Sequence, residues 1–136
     1  MRLVLDTNVF LTALMSSDSP SAQVLNLWFT RNFELLTTSE QFEEMARVTR
    51  YPRIRNRVTP AFVGRLVNRL RKAAILLDDL PRVTVSPDPD DNYLLALAEA
   101  GQAQFLVTGD KPLLALKHHK STHIVTPAAL LSLLKD

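Results

Sequence analysis

The chain contains no cysteine. Disulfides, thiolate metal sites and cysteine nucleophiles are therefore excluded, and a reducing cytoplasm is the expected compartment. No stretch approaches the ~18 uninterrupted apolar residues that suggest a membrane span. The N-terminal MRLVLDTNVFLTALM has the leading positive charge and apolar run of a signal peptide, but Asp6 and Asn8 interrupt it where polarity is costly. A strand followed by a helix is the better reading. Repeats, low-complexity segments and linkers are also missing. Acids are absent between Met45 and Leu77, while Arg47 to Lys72 holds nine of the 16 Lys and Arg residues. The modest net charge of +2 thus conceals a local basic field.

What is present suits one domain spanning residues 1–136, with 46% hydrophobic residues and enough length to bury about two thirds of its unfolded surface. Arg2 to Leu5 reads as a central strand and Phe33 to Leu36 as a second. Between them, Pro20 suits the first turn of a helix reaching about Phe29. Thr38 or Ser39 caps the next helix, whose apolar arc is Phe42, Met45, Ala46 and Thr49, and Pro52 stops it. A basic loop from Arg53 to Val58 precedes a long helix from Thr59 and Pro60 to about Leu77. Its apolar face carries Val63, Leu66 and Leu70, and the opposite face Arg65, Arg69 and Lys72. Arg82 to Val85 reads as a third strand. The acidic DPDDN then opens a helix that Gly101 is placed to end in the left-handed conformation. Gln104 to Thr108 is a short, apolar strand, followed by a helix from Pro112 to about Lys117, a strand from His123 to Val125, and a last helix from Thr126 and Pro127. This alternation indicates an α/β fold, a three-layer α/β/α sandwich with a mostly parallel central sheet.

The fold gives the acids their interest. Asp6 and Asp110 each lie just beyond the carboxyl end of a strand, and Asp90 or Asp91 sits at a neighbouring helix start; in open parallel sheets that edge is where sites form. On the helix after the second strand, Glu43 falls between Arg47 and Arg50 on a solvated face, whereas Glu44 borders the apolar arc and can face a cleft. Two such charges ~4 Å apart repel by roughly 4 kcal/mol at an effective dielectric of ~20. Raised pKa values or bound cations must offset this. An all-oxygen ligand set matches Mg²⁺ or Mn²⁺, and such an ion supports phosphodiester hydrolysis. Each acid alone could instead be a plain N-cap, and Glu44 an ion-pair partner of Arg47.

The set LVLDTNVF, SEQFEEMARVTRYPRI, DPDDNYLLALA and FLVTGDKPLL resembles the PIN-domain family, in particular the short bacterial members that are toxins of toxin–antitoxin pairs. The likeness covers almost the whole chain in the family's motif order. It implies an Mg²⁺- or Mn²⁺-dependent ribonuclease. Residue by residue, it implies that Asp6, Asp91 and Asp110 are direct or water-mediated metal ligands. Glu44, counted from Ser39, would bind a second ion or orient the attacking water. Asn8 and Thr108 would support Asp6 and Asp110, and Asp90 is the neighbour that a shift of one residue would select. An antitoxin protein is an implied partner.

Other features are less specific. Arg50, Arg53, Arg55 and Arg57 lie just beyond the helix carrying Glu44 and are the candidate RNA contacts, their bland reading being a solvated surface. His118, His119 and His123 straddle a helix end and read as surface residues rather than ligands. Lys111 could pair with Asp110. Trp28 and Phe29, with Leu25 nearby, are either core or part of a homodimer or antitoxin-binding surface. An RNA-binding module with little turnover is the alternative function. A phosphatase on a similar sheet fits less well, because DTN lacks its DxD spacing.

Overall fold

The computed structural model describes residues 1–30 and 32–135. Its strands are β1 (Arg2–Leu5), β2 (Glu34–Thr37), β3 (Ile75–Leu76), β4 (Phe105–Val107), β5 (His118–His119) and β6 (Thr122–Val125). Among the described residues they form one sheet in the order β3-β2-β1-β4-β6-β5, parallel except for the β5/β6 pair. The chain starts in the middle, builds outward through β2 and β3, then returns to lay β4 on the other side of β1. The strand order therefore reverses between β1 and β4, and crossovers leaving in opposite directions open a crevice above their carboxyl ends.

Among the described residues, eight α-helices accompany the strands: α1 (Thr7–Met15), α2 (Pro20–Phe29), α3 (Ser39–Val48), α4 (Pro52–Arg55), α5 (Pro60–Ala73), α6 (Asn92–Gly101), α7 (Lys111–Leu116) and α8 (Pro127–Leu134). Strand residues alternate between two apolar clusters because successive side chains leave opposite faces of the sheet. Leu3, Leu5, Leu35 and Val107 meet α1, α2, α3, α5 and α8 on one side. Val4, Leu36 and Leu106 meet α6 and α7 on the other. The result is the expected three-layer α/β/α arrangement.

Several local expectations are corrected. The third strand is Ile75–Leu76, not residues 82–85, which are irregular. α5 ends at Ala73, so Ile75 and Leu76 leave the helix to pair with Leu36 and Thr37. Val83 still packs on the sheet, but Thr84 and Val85 are exposed and have no strand partner. The basic loop contains the single-turn α4, and β5 adds a hairpin that the short apolar runs did not suggest.

Two helix ends also differ. Gly101 is the last helical residue and Gln102 takes the left-handed conformation, at φ 54°. A Cβ at position 101 would stand 2.3 Å from Leu36 Cδ1, so close helix–sheet approach is what requires glycine there. At α3, Thr38 is the N-cap by position, but its side chain does not cap. Asp78, beyond β3, accepts from the Ser39 amide at 2.8 Å, the Ser39 hydroxyl at 2.8 Å and the Thr38 hydroxyl at 3.1 Å. Those bonds, the Ser39 amide first, hold its carboxyl below the ordinary aspartate value.

Candidate metal centre

Asp6 follows β1 at the switch point. Its amide donates to the Val107 carbonyl at 2.9 Å, which extends the β1/β4 ladder by one bond and fixes where the side chain emerges. Asp6 is 4% exposed, and its Oδ2 accepts from the Thr108 hydroxyl at 2.7 Å. The Asn8 amide donates to its Oδ1 at 3.4 Å. Burial raises its pKa most; the bonds from Thr108 and Asn8 oppose this, and the fields of Glu44 and Asp110 add to the rise.

Thr108 continues from β4 and links two acids, because its hydroxyl also accepts the Asp110 amide at 3.0 Å. Asp110 is the N-cap of α7 and accepts from the Leu113 amide at 3.3 Å. The capping reading therefore holds at Asp110. No ion pair between Asp110 and Lys111 occurs among the described residues.

The acidic DPDDN segment is a 3-10 turn, Pro89–Asp91, that runs into α6. Asp88 caps that turn by accepting the Asp90 amide at 3.0 Å. Asp90 is exposed and its field acts on Glu40, whereas Asp91 is half-buried and lies in the fields of Asp6, Asp88, Asp110 and Glu44. Burial first, then those four charges, push the Asp91 carboxyl up to about 7. Asp91 is therefore the member of the pair whose charge couples to the other acids.

Glu44 is half-buried on α3, supported from below by the buried Gln41, Phe42 and Met45; Ala46, expected in the apolar arc, is exposed. Gln41 donates to the Leu5 carbonyl at 2.7 Å and accepts from Thr37, tying α3 to the end of β1. Glu44 Oε1 accepts from the Thr7 hydroxyl at 2.5 Å and from the Tyr93 hydroxyl. The two hydroxyls are 3.2 Å apart. The ion pair with Arg47 does not form. Burial and the neighbouring Glu44 charge raise the Tyr93 pKa, so the phenol keeps its proton and remains a donor.

The sequence reading missed Thr7 and Tyr93. Thr7 lies inside the DTN motif. Tyr93 is the hydroxyl-bearing residue on an otherwise apolar helical face two positions after Asp91, and that polar exception was the available signal.

Asp6, Glu44, Asp91 and Asp110 thus share one electrostatic environment at the sheet's carboxyl edge. Their donors are all oxygens, which fits a hard divalent cation. Among the described residues, no three His, Asp or Glu side chains already converge on a single point as ligands. The acids are coupled through their charges rather than gathered as a formed ligand set.

The basic residues divide. Arg53 and Arg57 line a pocket of about 210 Å³ with Thr12 and Asn8, the residue whose amide reaches Asp6. Arg50 and Arg55 are exposed, and nothing brings them to the site. Arg65, Arg69 and Arg71 lie over the rings of Phe62, Phe29 and Phe42 at 4.7, 4.2 and 4.6 Å, so part of the basic field is engaged in cation–π contacts. His118 and His123 face each other across the β5/β6 hairpin, and His119 meets Glu99 at 2.8 Å, all away from the acids. Trp28 and Leu25 are buried in the core, and Phe29 is half-buried beneath Arg69.

A mostly parallel sheet with charge-coupled acids beyond the carboxyl ends of β1 and β4 defines an α/β domain with an acidic candidate site. Comparison with known proteins specifies it further. A family model described as PIN domain matches residues 2–112, and the chain belongs to that family. The PIN domain is a nuclease-type fold whose members generally use divalent metals such as Mg²⁺ or Mn²⁺. The chain is also similar to an uncharacterized protein of Methanocaldococcus jannaschii, at 24% identity over 118 residues, covering 86% of this chain and 76% of that one. No helix among the described residues is long and apolar enough to cross a membrane.

Proposed function

We propose that this chain, as one nuclease domain over residues 1–136, is a divalent-metal-dependent endoribonuclease. The observation that carries the proposal is the charge coupling of Asp6, Glu44, Asp91 and Asp110, with Asp91 pushed up to about 7 by burial and by its acidic neighbours. Asp6, Asp91 and Asp110 would hold Mg²⁺ or Mn²⁺. When bound, the ion would supply Lewis-acid stabilisation of phosphoryl charge and lower the pKa of water.

The remaining roles belong to the chain itself. Thr108 fixes one Asp6 oxygen, and the Asn8 amide reaches the other. Thr7 and Tyr93 occupy Glu44 Oε1, so Oε2 is the atom free to take a proton from a water attacking phosphorus in line. The proton moves to Oε2 as the O–P bond forms and the 3′ oxygen leaves, with no covalent enzyme intermediate. Arg53 and Arg57 flank Asn8 and would neutralise phosphates of the strand, with Arg50 and Arg55 as more distant contacts.

The finer assignment is a toxin of a toxin–antitoxin pair acting in the cytoplasm, probed by asking whether the neighbouring reading frame encodes an antitoxin protein that suppresses cleavage. A homodimer or higher homo-oligomer accompanies that assignment. Sedimentation as a monomer at all concentrations would remove it.

The decisive experiment is single-turnover cleavage of RNA with Mg²⁺ or Mn²⁺. Asp6→Asn should lower the rate by about 100-fold or more, and EDTA should abolish cleavage. Equal cleavage by wild type and variant, or indifference to EDTA, rejects the nuclease. Retained RNA binding without cleavage by wild type leaves the RNA-binding module.

A further inference from the structure

We propose that the buried amide of Gln41 is a positioning group that fixes how far the Glu44 carboxylate stands from Asp6. This rests on the nuclease reading above. The planar, trans peptide joining Leu5 to Asp6 presents its two polar groups to opposite sides of β1. Its N–H goes to the Val107 carbonyl on the β4 side, at 2.9 Å. Its carbonyl therefore points to the β2 side, where β2 has already ended at Thr37. A side chain takes over the bond that a longer strand would have made: Gln41 Nε2 donates to the Leu5 carbonyl at 2.7 Å.

The other end of the amide is fixed as well. Gln41 Oε1 accepts from the Thr37 hydroxyl at 2.7 Å, and Leu5, Thr37 and Gln41 are all fully buried. A hydroxyl that donates to Oε1 leaves Nε2 for Leu5, so the amide has one orientation. Without it, a carbonyl and a hydroxyl would be left unpaired away from water.

Through these bonds α3 grips both neighbours of Asp6. Gln41 bonds Leu5, the residue before it, and Glu44, three positions further along the same helical face, accepts from Thr7, the residue after it. The backbone of residues 5–7, the turn of α3 from Gln41 to Glu44 and the two side-chain bonds close a loop around Asp6. Tyr93 then holds Glu44 from α6. A link between α3 and β1 could have been made anywhere along their length. It is made at the carbonyl adjoining Asp6, one helical turn before Glu44, where a shift of the helix alters the separation of the two acids. Arg53 and Arg57 are carried by α4, which the buried Ile54 anchors separately. Groups that orient a ligand without touching the ion change metal affinity or rate by roughly 10- to 100-fold when removed.

The test uses the full chain with Mn²⁺ as the titrant. Gln41→Met nearly keeps the volume and removes both bonds. Calorimetric titration of the metal-free variant should give an Mn²⁺ dissociation constant about tenfold above that of wild type. In single-turnover RNA cleavage at saturating Mn²⁺, the maximal rate should fall about tenfold while the half-saturating RNA concentration stays within about twofold. A residue that only packs would lower the melting temperature and leave metal affinity and maximal rate where they were. Thr37→Val removes only the bond that orients the amide, so it should move both quantities in the same direction by less. If Gln41→Met does not fold, Thr37→Val decides, and unchanged values in it overturn the role. A folded Gln41→Met with wild-type metal affinity and maximal rate also overturns it, as does a loss confined to half-saturation by RNA, and each of these results leaves the nuclease standing. A wild type that neither binds Mn²⁺ nor cuts RNA overturns the nuclease reading and this role with it.

Discussion

Glu44 receives two hydroxyls on a single carboxylate oxygen, one from α1 and one from α6. A long side chain on a helix face would otherwise sample several rotamers, so the two donors select one and keep Oε2 available. Tyr93→Phe deletes the α6 donor without changing shape. The lost bond to a carboxylate is worth about 1.5–3 kcal/mol, with the lower end expected here because Thr7 stays in place. Urea unfolding reads that cost. If Tyr93 positions Glu44, the variant should also lower the single-turnover rate about tenfold, and the same substitution should have little further effect in a Glu44→Gln background. Full additivity of the two rate losses would reduce Tyr93 to a packing residue. The acids themselves were readable from their place after strands and at helix starts. Thr7 and Tyr93 were not, because a hydroxyl's partner is decided by tertiary approach rather than by spacing along the chain.

Elements follow the same division. Strands β1, β2, β4 and β6 were legible because each is a short apolar run ending in polar, turn-forming residues. β3 was not: Ile75 and Leu76 continue the apolar face of α5 in sequence, and only pairing with Leu36 and Thr37 at the sheet edge makes them a strand. Residues 82–85 carry the β-branched pattern without a partner to use it. The end of α6 is the sharpest case, since Gly101 was assigned to a left-handed cap that Gln102 adopts instead. The two explanations predict opposite results. A helical glycine with room to spare gains up to ~1 kcal/mol on replacement by alanine. Here the new methyl meets Leu36 Cδ1 at 2.3 Å, with Leu36 Cδ2 and Leu77 Cδ1 each at 3.1 Å, and Leu36 is itself fully buried. Overpacking of ~1–3 kcal/mol should win, so Gly101→Ala lowers the melting temperature. A rise would mean that Leu36 can turn aside freely.

Across the whole molecule, charge-coupled acids stand beside a basic flank, and the two respond differently to solvent. The acids make metal-free stability fall with pH. Asp91 titrates near its ordinary value when unfolded and at about 7 when folded, so between those values the native state holds the extra proton. Stability is greatest below the unfolded pKa, declines as pH rises towards 7, and levels off above it. Mn²⁺ should restore stability on the alkaline side, where the carboxylates are ionised, and have little effect near pH 4. Melting curves across that range, with and without Mn²⁺, check both statements; stability rising from pH 4 to 7 in the metal-free chain would contradict them.

The flank should answer to salt rather than to pH, because guanidinium groups stay charged throughout. RNA affinity should fall linearly in logarithmic form as salt rises, each neutralised phosphate adding about 0.7 to the slope for a single strand. Arg53 and Arg57 share the Asn8 pocket, whereas Arg50 and Arg55 do not, so the four neutralisations are unequal. Arg53→Gln and Arg57→Gln should each reduce the salt slope by about 0.7, with Arg50→Gln and Arg55→Gln changing it much less. Equal effects from all four would mean that a diffuse positive field guides the strand, and the pocket beside Asn8 would have no particular part in holding it.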